Sequence, residues 1–248
     1  MKNETNLNPI KEYLNAWLHL PCVLDKRYGG LLNNHPIIDV AAMIDNTLVL
    51  VNDENIDVIR NQYMEQIEKN NDVYQLFMVV KKPYRLTLFQ EVYENLSEVD
   101  YNSILNWVYK DIEFPNHNND IKMLTRLFEQ INPKLFMSEK DMSMYESLPD
   151  EIKLYRGMYS DNYYRAVSWT TDIDVAEWFA NRFTSGYIVT ATVHKTDVFC
   201  CYDSEKEVVV NPTRISLTGI RPADQVQDLK NEEDNQGFHN SFSWFSNK

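Results

Sequence analysis

Apolar residues recur at helical spacing in four stretches of the first half of the chain. In NPIKEYLNAWL, residues 8–18, the side chains of Ile10, Tyr13, Leu14, Trp17 and Leu18 fall on one side of a 3.6-residue repeat. Asn8 reads as its cap and Pro9 as the first helical position, where the missing N–H is not needed. The same period returns over residues 56–67, 101–109 and 121–131, and in the last of these Leu124, Leu127, Phe128 and Ile131 make one apolar face. Residues 1–149 are therefore expected to be mainly helical.

After Pro149 the pattern shortens into apolar runs rich in β-branched and aromatic residues: IKLYRGM, AVSWTT, GYIVTATV, DVFCCY, EVVVNP and RISLTGI. Such runs, separated by turn-type residues, predict strands. One helix interrupts them, beginning at Asp172 or Asp174 and running through DVAEWFANRF, with Val175, Trp178, Phe179 and Phe183 expected on its inner face. From residue 223 the chain turns polar and ends in GFHNSFSWFSNK, whose Phe238, Phe242, Trp244 and Phe245 are expected to cover an apolar patch on the body. The expected class is α+β: a helical region over residues 1–149, a strand-rich core over 150–222 and a polar extension over 223–248.

With 248 residues, 44% of them hydrophobic, the chain can bury the core of one large or two small domains. No internal period is visible, which excludes a repeat array. The start, MKNETNLNPIKEY, has no apolar run behind its lysine, and no later run approaches membrane-spanning length, so a cytoplasmic protein without membrane contact is expected. Cys22, Cys200 and Cys201 are an odd set; neighbours on a strand point to opposite faces, so reduced thiols are expected rather than a metal site. The five histidines lack metal-ligand spacing, and no phosphate loop or nucleophile elbow is present. A net charge of −13 disfavours general attraction to a phosphate backbone and fits a basic protein partner better. The local patch Lys81, Lys82 and Arg85 reads as a solvated turn.

Three short segments of the strand-rich half carry the candidate chemistry: LYRGM, SWTTD and EKEVVVNP. Taken in order they resemble the signature of the Arg/Ser/Glu class of mono-ADP-ribosyltransferases. In that class one strand carries an arginine, often followed by glycine, a second carries Ser-x-Ser/Thr, and a third opens with Glu/Gln-x-Glu. Arg156, Gly157, Ser168, Thr170, Glu205 and Glu207 stand at those places, and the resemblance covers roughly residues 150 to 220. It implies a split β-sheet core of the transferase type, with NAD+ as substrate and no metal.

The residue types suit that chemistry. Breaking the bond between nicotinamide and ribose develops positive charge on the sugar, which a fixed carboxylate stabilises. Glu207 is the candidate, with Ser168 orienting it. Arg156 presents a charged planar fork for the diphosphate, and Gly157 and Thr170 complete the NAD-binding set. Trp169, between Ser168 and Thr170, faces the other way and is expected in the core. By the same resemblance Glu205 activates an arginine acceptor, and Tyr202, in FCCYDS, is an exposed aromatic that meets it.

The acceptor stays open between a protein side chain, favoured by the acidity, and an RNA or DNA group. Water as acceptor would make the protein an NAD glycohydrolase, and a partner-binding module without turnover is the reading from another class. The resemblance also implies a toxin or phage-conflict role with a neutralising antitoxin or inhibitor protein.

Overall fold

The computed structural model describes residues 3–22, 34–111, 121–159, 165–182 and 185–229. The chain forms two compact units, Met1–Pro115 and Asn116–Lys248.

In the first unit α1 (Leu7–Leu18) is capped by Asn6, whose side chain accepts from the Asn8 amide. Asn8 is thus helical rather than the cap, a shift that costs little because first-turn amides have no intrahelical partner. A hairpin follows, β1 (Ala41–Ile44) and β2 (Thr47–Leu50), in a region expected to be helical. Asp45 and Asn46 make its two-residue turn, both at positive φ (48° and 61°), a conformation these short polar residues tolerate. Among the described residues the helices α2 (Ile56–Lys69), α3 (Val73–Met78), α4 (Lys82–Val92) and α5 (Glu98–Asp111) follow. Phe77, Phe89 and Tyr101 meet at their centre, with ring centroids 6.4 and 5.2 Å apart.

The basic patch is not a solvated turn. Lys81 caps α4 and pairs with Asp39 at 3.0 Å, and Lys82 pairs with Asp111 at 2.8 Å. Arg85 is buried, bonds to Asp111 and lies 4.6 Å from the Trp107 ring. Two carboxylates, Asp39 and Asp111, engage the three cations, Asp111 serving both Lys82 and Arg85.

Buried His35 accepts the Ile37 and Ile38 amides at Nδ1, at 3.1 and 2.9 Å. Burial, and then the Lys81 ammonium, bring its pKa down from 6.5 to about 4. A lowered value means that the unfolded chain takes the proton more readily, so this contribution to stability is full above pH 6.5 and lost as pH falls towards about 4. Denaturant titrations of wild type and His35→Gln should show the difference in unfolding free energy shrinking over that range, by up to about 3 kcal/mol. Parallel losses in the two proteins would refute the assignment.

The second unit opens with α6 (Ile121–Phe128), α7 (Pro133–Phe136) and α8 (Glu139–Ser147). Then come β3 (Glu151–Met158), β4 (Ser168–Thr170), α9 (Ile173–Asn181), β5 (Tyr187–His194), β6 (Val198–Tyr202), β7 (Glu207–Val210) and β8 (Ser216–Pro222). The six strands form one antiparallel sheet in the order β6-β7-β4-β3-β5-β8, giving a mixed α/β protein. The division between units falls at Pro115, not at residue 149, because α6 to α8 pack on the sheet. Phe128 stacks on Phe199 at 5.9 Å, Phe136 lies 6.4 Å from Tyr202, and the Met137 sulfur accepts the Cys201 amide.

The sheet unit also extends past residue 222. Ala223, Val226 and Leu229 are buried with Tyr155, Ala176, Ala180 and Ile188, so the expected polar extension begins no earlier than residue 230. Phe183, Phe238, Phe242, Trp244 and Phe245 lie outside the described residues. Among the described residues no helix is long and apolar enough to cross a membrane.

Candidate functional site

Arg156 lies on β3, Ser168 opens β4 and Glu207 opens β7, and these strands are neighbours in the sheet. Across the β4–β7 ladder Thr170 faces Glu207 and Ser168 faces Val209. Ser168, Thr170 and Glu207 therefore share one face, with Ser168 and Glu207 diagonal neighbours about 7–8 Å apart along the backbone.

Arg156 arrives differently. Strands β3 and β4 register only at Tyr155 and Thr170, so by alternation Tyr155, not Arg156, shares the face of Thr170. Past that pair the strands separate, and Arg156 Nη1 donates to the Ser168 carbonyl at 2.5 Å. The guanidinium thus reaches across the opening and meets Ser168 at its backbone.

Half-buried Glu207 pairs in register with Tyr202 of β6, the strand that carries Cys200 and Cys201. Burial pushes Cys201 up to about 12, with the Asp141 and Glu207 carboxylates adding to the effect. Cys200 is raised too, first by burial and then by Glu207, so both sulfurs stay protonated beside the carboxylate. All three cysteines are free thiols, as expected.

The turn before Glu207 is held at three points. The Thr170 hydroxyl lies 3.1 Å from the carbonyls of both Glu205 and Lys206, and accepts the Asp172 amide. Buried Asp141, bonded to Ser138 at the start of α8, accepts the Asp203 amide at 2.8 Å. Lys206 is left-handed (φ 48°, ψ 33°), which turns the chain from the 3-10 segment Asp203–Glu205 into β7. Left-handed backbone is unfavourable for a lysine and persists only where its surroundings impose it.

Several expected roles change with this geometry. Thr170 is buried, its hydroxyl engaged with its own chain. Glu205 is exposed on the turn, and strand alternation does not carry across the left-handed Lys206, so it does not form an i, i+2 strand pair with Glu207. Tyr202 is only 3% exposed and packs on Phe136; it is a core residue rather than an exposed aromatic that greets an acceptor. Trp169 is in the core as expected, its indole N–H bonded to the Ala166 carbonyl.

Gly157 matters for packing. A Cβ there would lie 2.0 Å from the Ala176 carbonyl oxygen and 2.4 Å from the Ala180 amide nitrogen. The bare glycine therefore lets the backbone of α9 settle on β3. The same close approach reverses the expected face of α9. Small Ala176 and Ala180 turn inward, while Trp178 (59% exposed) and Phe179 lie outside.

An open groove of about 770 Å³ flanks the turn, lined by Lys140 and Met144 of α8, Ile152 and Lys153 of β3, and Thr171 and Lys206. Motif reading passed over Asp141 and these lysines; the only signal for Asp141 is the Ser138-x-x-Asp141 capping box. Among the described residues no group of three His, Cys, Asp or Glu is placed to hold a metal ion. Comparison of the chain with models of protein families, with curated proteins and with solved structures finds no match in any of the three.

Two substitutions test this framework. Gly157→Ala should lower stability by about 1–3 kcal/mol, because the methyl meets helix backbone that cannot rotate away; an unchanged thermal midpoint would contradict the packing. Thr170→Val keeps the shape but removes the hydroxyl, and should cost about 1–2 kcal/mol. Amide exchange at Asp172 should rise in that variant, and unchanged protection would deny the hydroxyl its role.

Proposed function

We propose that this protein is a mono-ADP-ribosyltransferase that cleaves NAD+ and passes ADP-ribose to a macromolecule. One observation carries the reading: an arginine, a serine and a glutamate from three ordered motifs lie on three adjacent strands, β3, β4 and β7, with the arginine bonded to the serine backbone. Composition gives no reason for that adjacency, whereas the proposed chemistry needs it.

In the proposed reaction Arg156 holds the diphosphate of NAD+ by charge-assisted hydrogen bonds. The bond between ribose C1′ and the nicotinamide nitrogen breaks, its electron pair leaving with neutral nicotinamide. The Glu207 carboxylate stabilises the oxocarbenium charge left on the sugar. A nucleophile of the acceptor then bonds to C1′ and releases its proton to solvent water, while Ser168 steadies the Glu207 side of the site. Such an activity endangers the cell that makes it, so the proposal includes a toxin or phage-conflict role in the cytoplasm and a neutralising partner protein.

The direct test measures nicotinamide release and ADP-ribose added to cellular protein and RNA, with wild type and Glu207→Gln. The substitution keeps the shape and removes the charge, so release should fall about 100- to 1,000-fold. Equal release from both would end the proposal. Wild-type release that leaves no ADP-ribose on any macromolecule would instead identify an NAD glycohydrolase.

A further inference from the structure

The hairpin of the first unit turns an apolar face outward. Its register pairs Ala41 with Leu50 and Met43 with Leu48, and strand alternation puts these four side chains on one side of the ribbon. On that side Met43 is 53% exposed, Leu48 69% and Leu50 66%, an apolar patch of the kind that marks an interaction site. The opposite side, with Ala42, Ile44 and Val49, is partly covered.

The same ribbon has an open edge. The Val51 amide donates to the Val40 carbonyl, which makes Val40 and Val51 a hydrogen-bonded pair. Bonded pairs alternate in an antiparallel ribbon, so Ala42 bonds with Val49 and Ile44 with Thr47, while the N–H and C=O of Ala41 and Met43 point away from β2. Among the described residues no backbone group bonds to them there. The β2 edge differs, because the Asn55 side chain donates to the Leu50 carbonyl at 2.8 Å. Strand β1 is thus a template on which an extended chain can pair.

Charge at this edge is negative. Residues 34–59 hold Asp39, Asp45, Asp53, Glu54 and Asp57 and no lysine or arginine, and buried His35, with its pKa near 4, is uncharged at neutral pH. Two of these carboxylates are answered from outside the stretch, Asp39 by Lys81 at 3.0 Å and Asp57 by Arg60 at 3.2 Å. Asp45, in the hairpin turn, and Asp53 and Glu54, just past the other end of the ladder, make no ion pair among the described residues. Helix α2, which packs on β1, carries Asp57, Glu65 and Glu68 against Arg60 and Lys69 and so brings no surplus of positive charge.

We propose that the β1 edge docks an extended segment of a basic protein, its apolar side chains laid on Met43 and Leu48 and its cations at the two carboxylate ends. The inference does not rest on the transferase reading. From Val40 to Asp45 the edge runs about 17 Å, so cations about six residues apart on a paired strand reach both ends. A second copy of this chain is the poorer occupant, because it would bring the same carboxylates and a net charge of −13 against themselves. Nucleic acid meets the same repulsion through its phosphates.

The test titrates a capped peptide, Lys-Val-Thr-Val-Thr-Val-Lys, and its counterpart with Glu at both ends into the full chain, followed by NMR and amide exchange. The Lys-ended peptide should bind saturably and slow exchange at Ala41 and Met43 about tenfold near saturation. Asp45→Asn with Asp53→Asn and Glu54→Gln keeps the side-chain shapes and should weaken binding about tenfold at low salt, a difference that closes as salt rises. Met43→Lys with Leu48→Lys should abolish binding, and the charge-neutral variant keeps the test decisive if this one fails to fold. No saturable binding, equal binding of the Glu-ended peptide, or protection elsewhere but not at Ala41 and Met43 would overturn the proposal. So would a wild-type dimer in sedimentation that Met43→Lys with Leu48→Lys dissociates, which would assign the face to a second copy.

Discussion

Strand β3 is hydrogen-bonded unequally on its two sides, and the arrangement of the sheet unit follows from that. It registers with β5 along its whole length, from Glu151 to Met158, but with β4 only at Tyr155 and Thr170. A full ladder on both sides would satisfy the Ser168 carbonyl from backbone. The one-pair ladder leaves that carbonyl to the Arg156 side chain, so a cation is drawn into the opening between two strands. The β4–β7 ladder then carries Ser168 and Thr170 alongside Glu207, and β6 closes that side through Cys200, Cys201 and Tyr202.

Much of this architecture was legible in the sequence. The helical period of residues 8–18 and the β-branched runs after Pro149 mark elements found where expected: α1 buries Ile10, Leu14 and Leu18 on one face, while consecutive residues of β5 and β7 are buried, as continuous apolar runs require. The hairpin at residues 41–50 was hidden, since its exposed Met43, Leu48 and Leu50 do not alternate as a half-buried strand should. Its turn pair Asp45 and Asn46 was the available clue. The misjudged face of α9 has a different origin: hydrophobicity points to Trp178 and Phe179, but a glycine on the facing strand favours close approach and so selects the alanines.

At the candidate site the identity of the motif residues was legible and their partners were not. Spacing marked Arg156, Ser168 and Glu207, whereas the Arg156 bond goes to a carbonyl, which carries no residue-specific signal. Glu205 and Glu207 looked like a strand pair because nothing in Glu-Lys-Glu announces a left-handed lysine between them. Long-range partners such as Asp141 for the Asp203 amide, 62 residues apart, are set by tertiary packing alone.

The paired thiols of β6 have a practical corollary. Cys200 and Cys201 point to opposite faces of one strand, both sealed from solvent, while Cys22 of the helical unit is only partly covered. A maleimide therefore meets Cys22 first in the native protein and the other two only once the sheet opens. Labelling of the two buried thiols is thus a built-in gauge of when the sheet unit comes apart, with Cys22 as the reagent's internal reference.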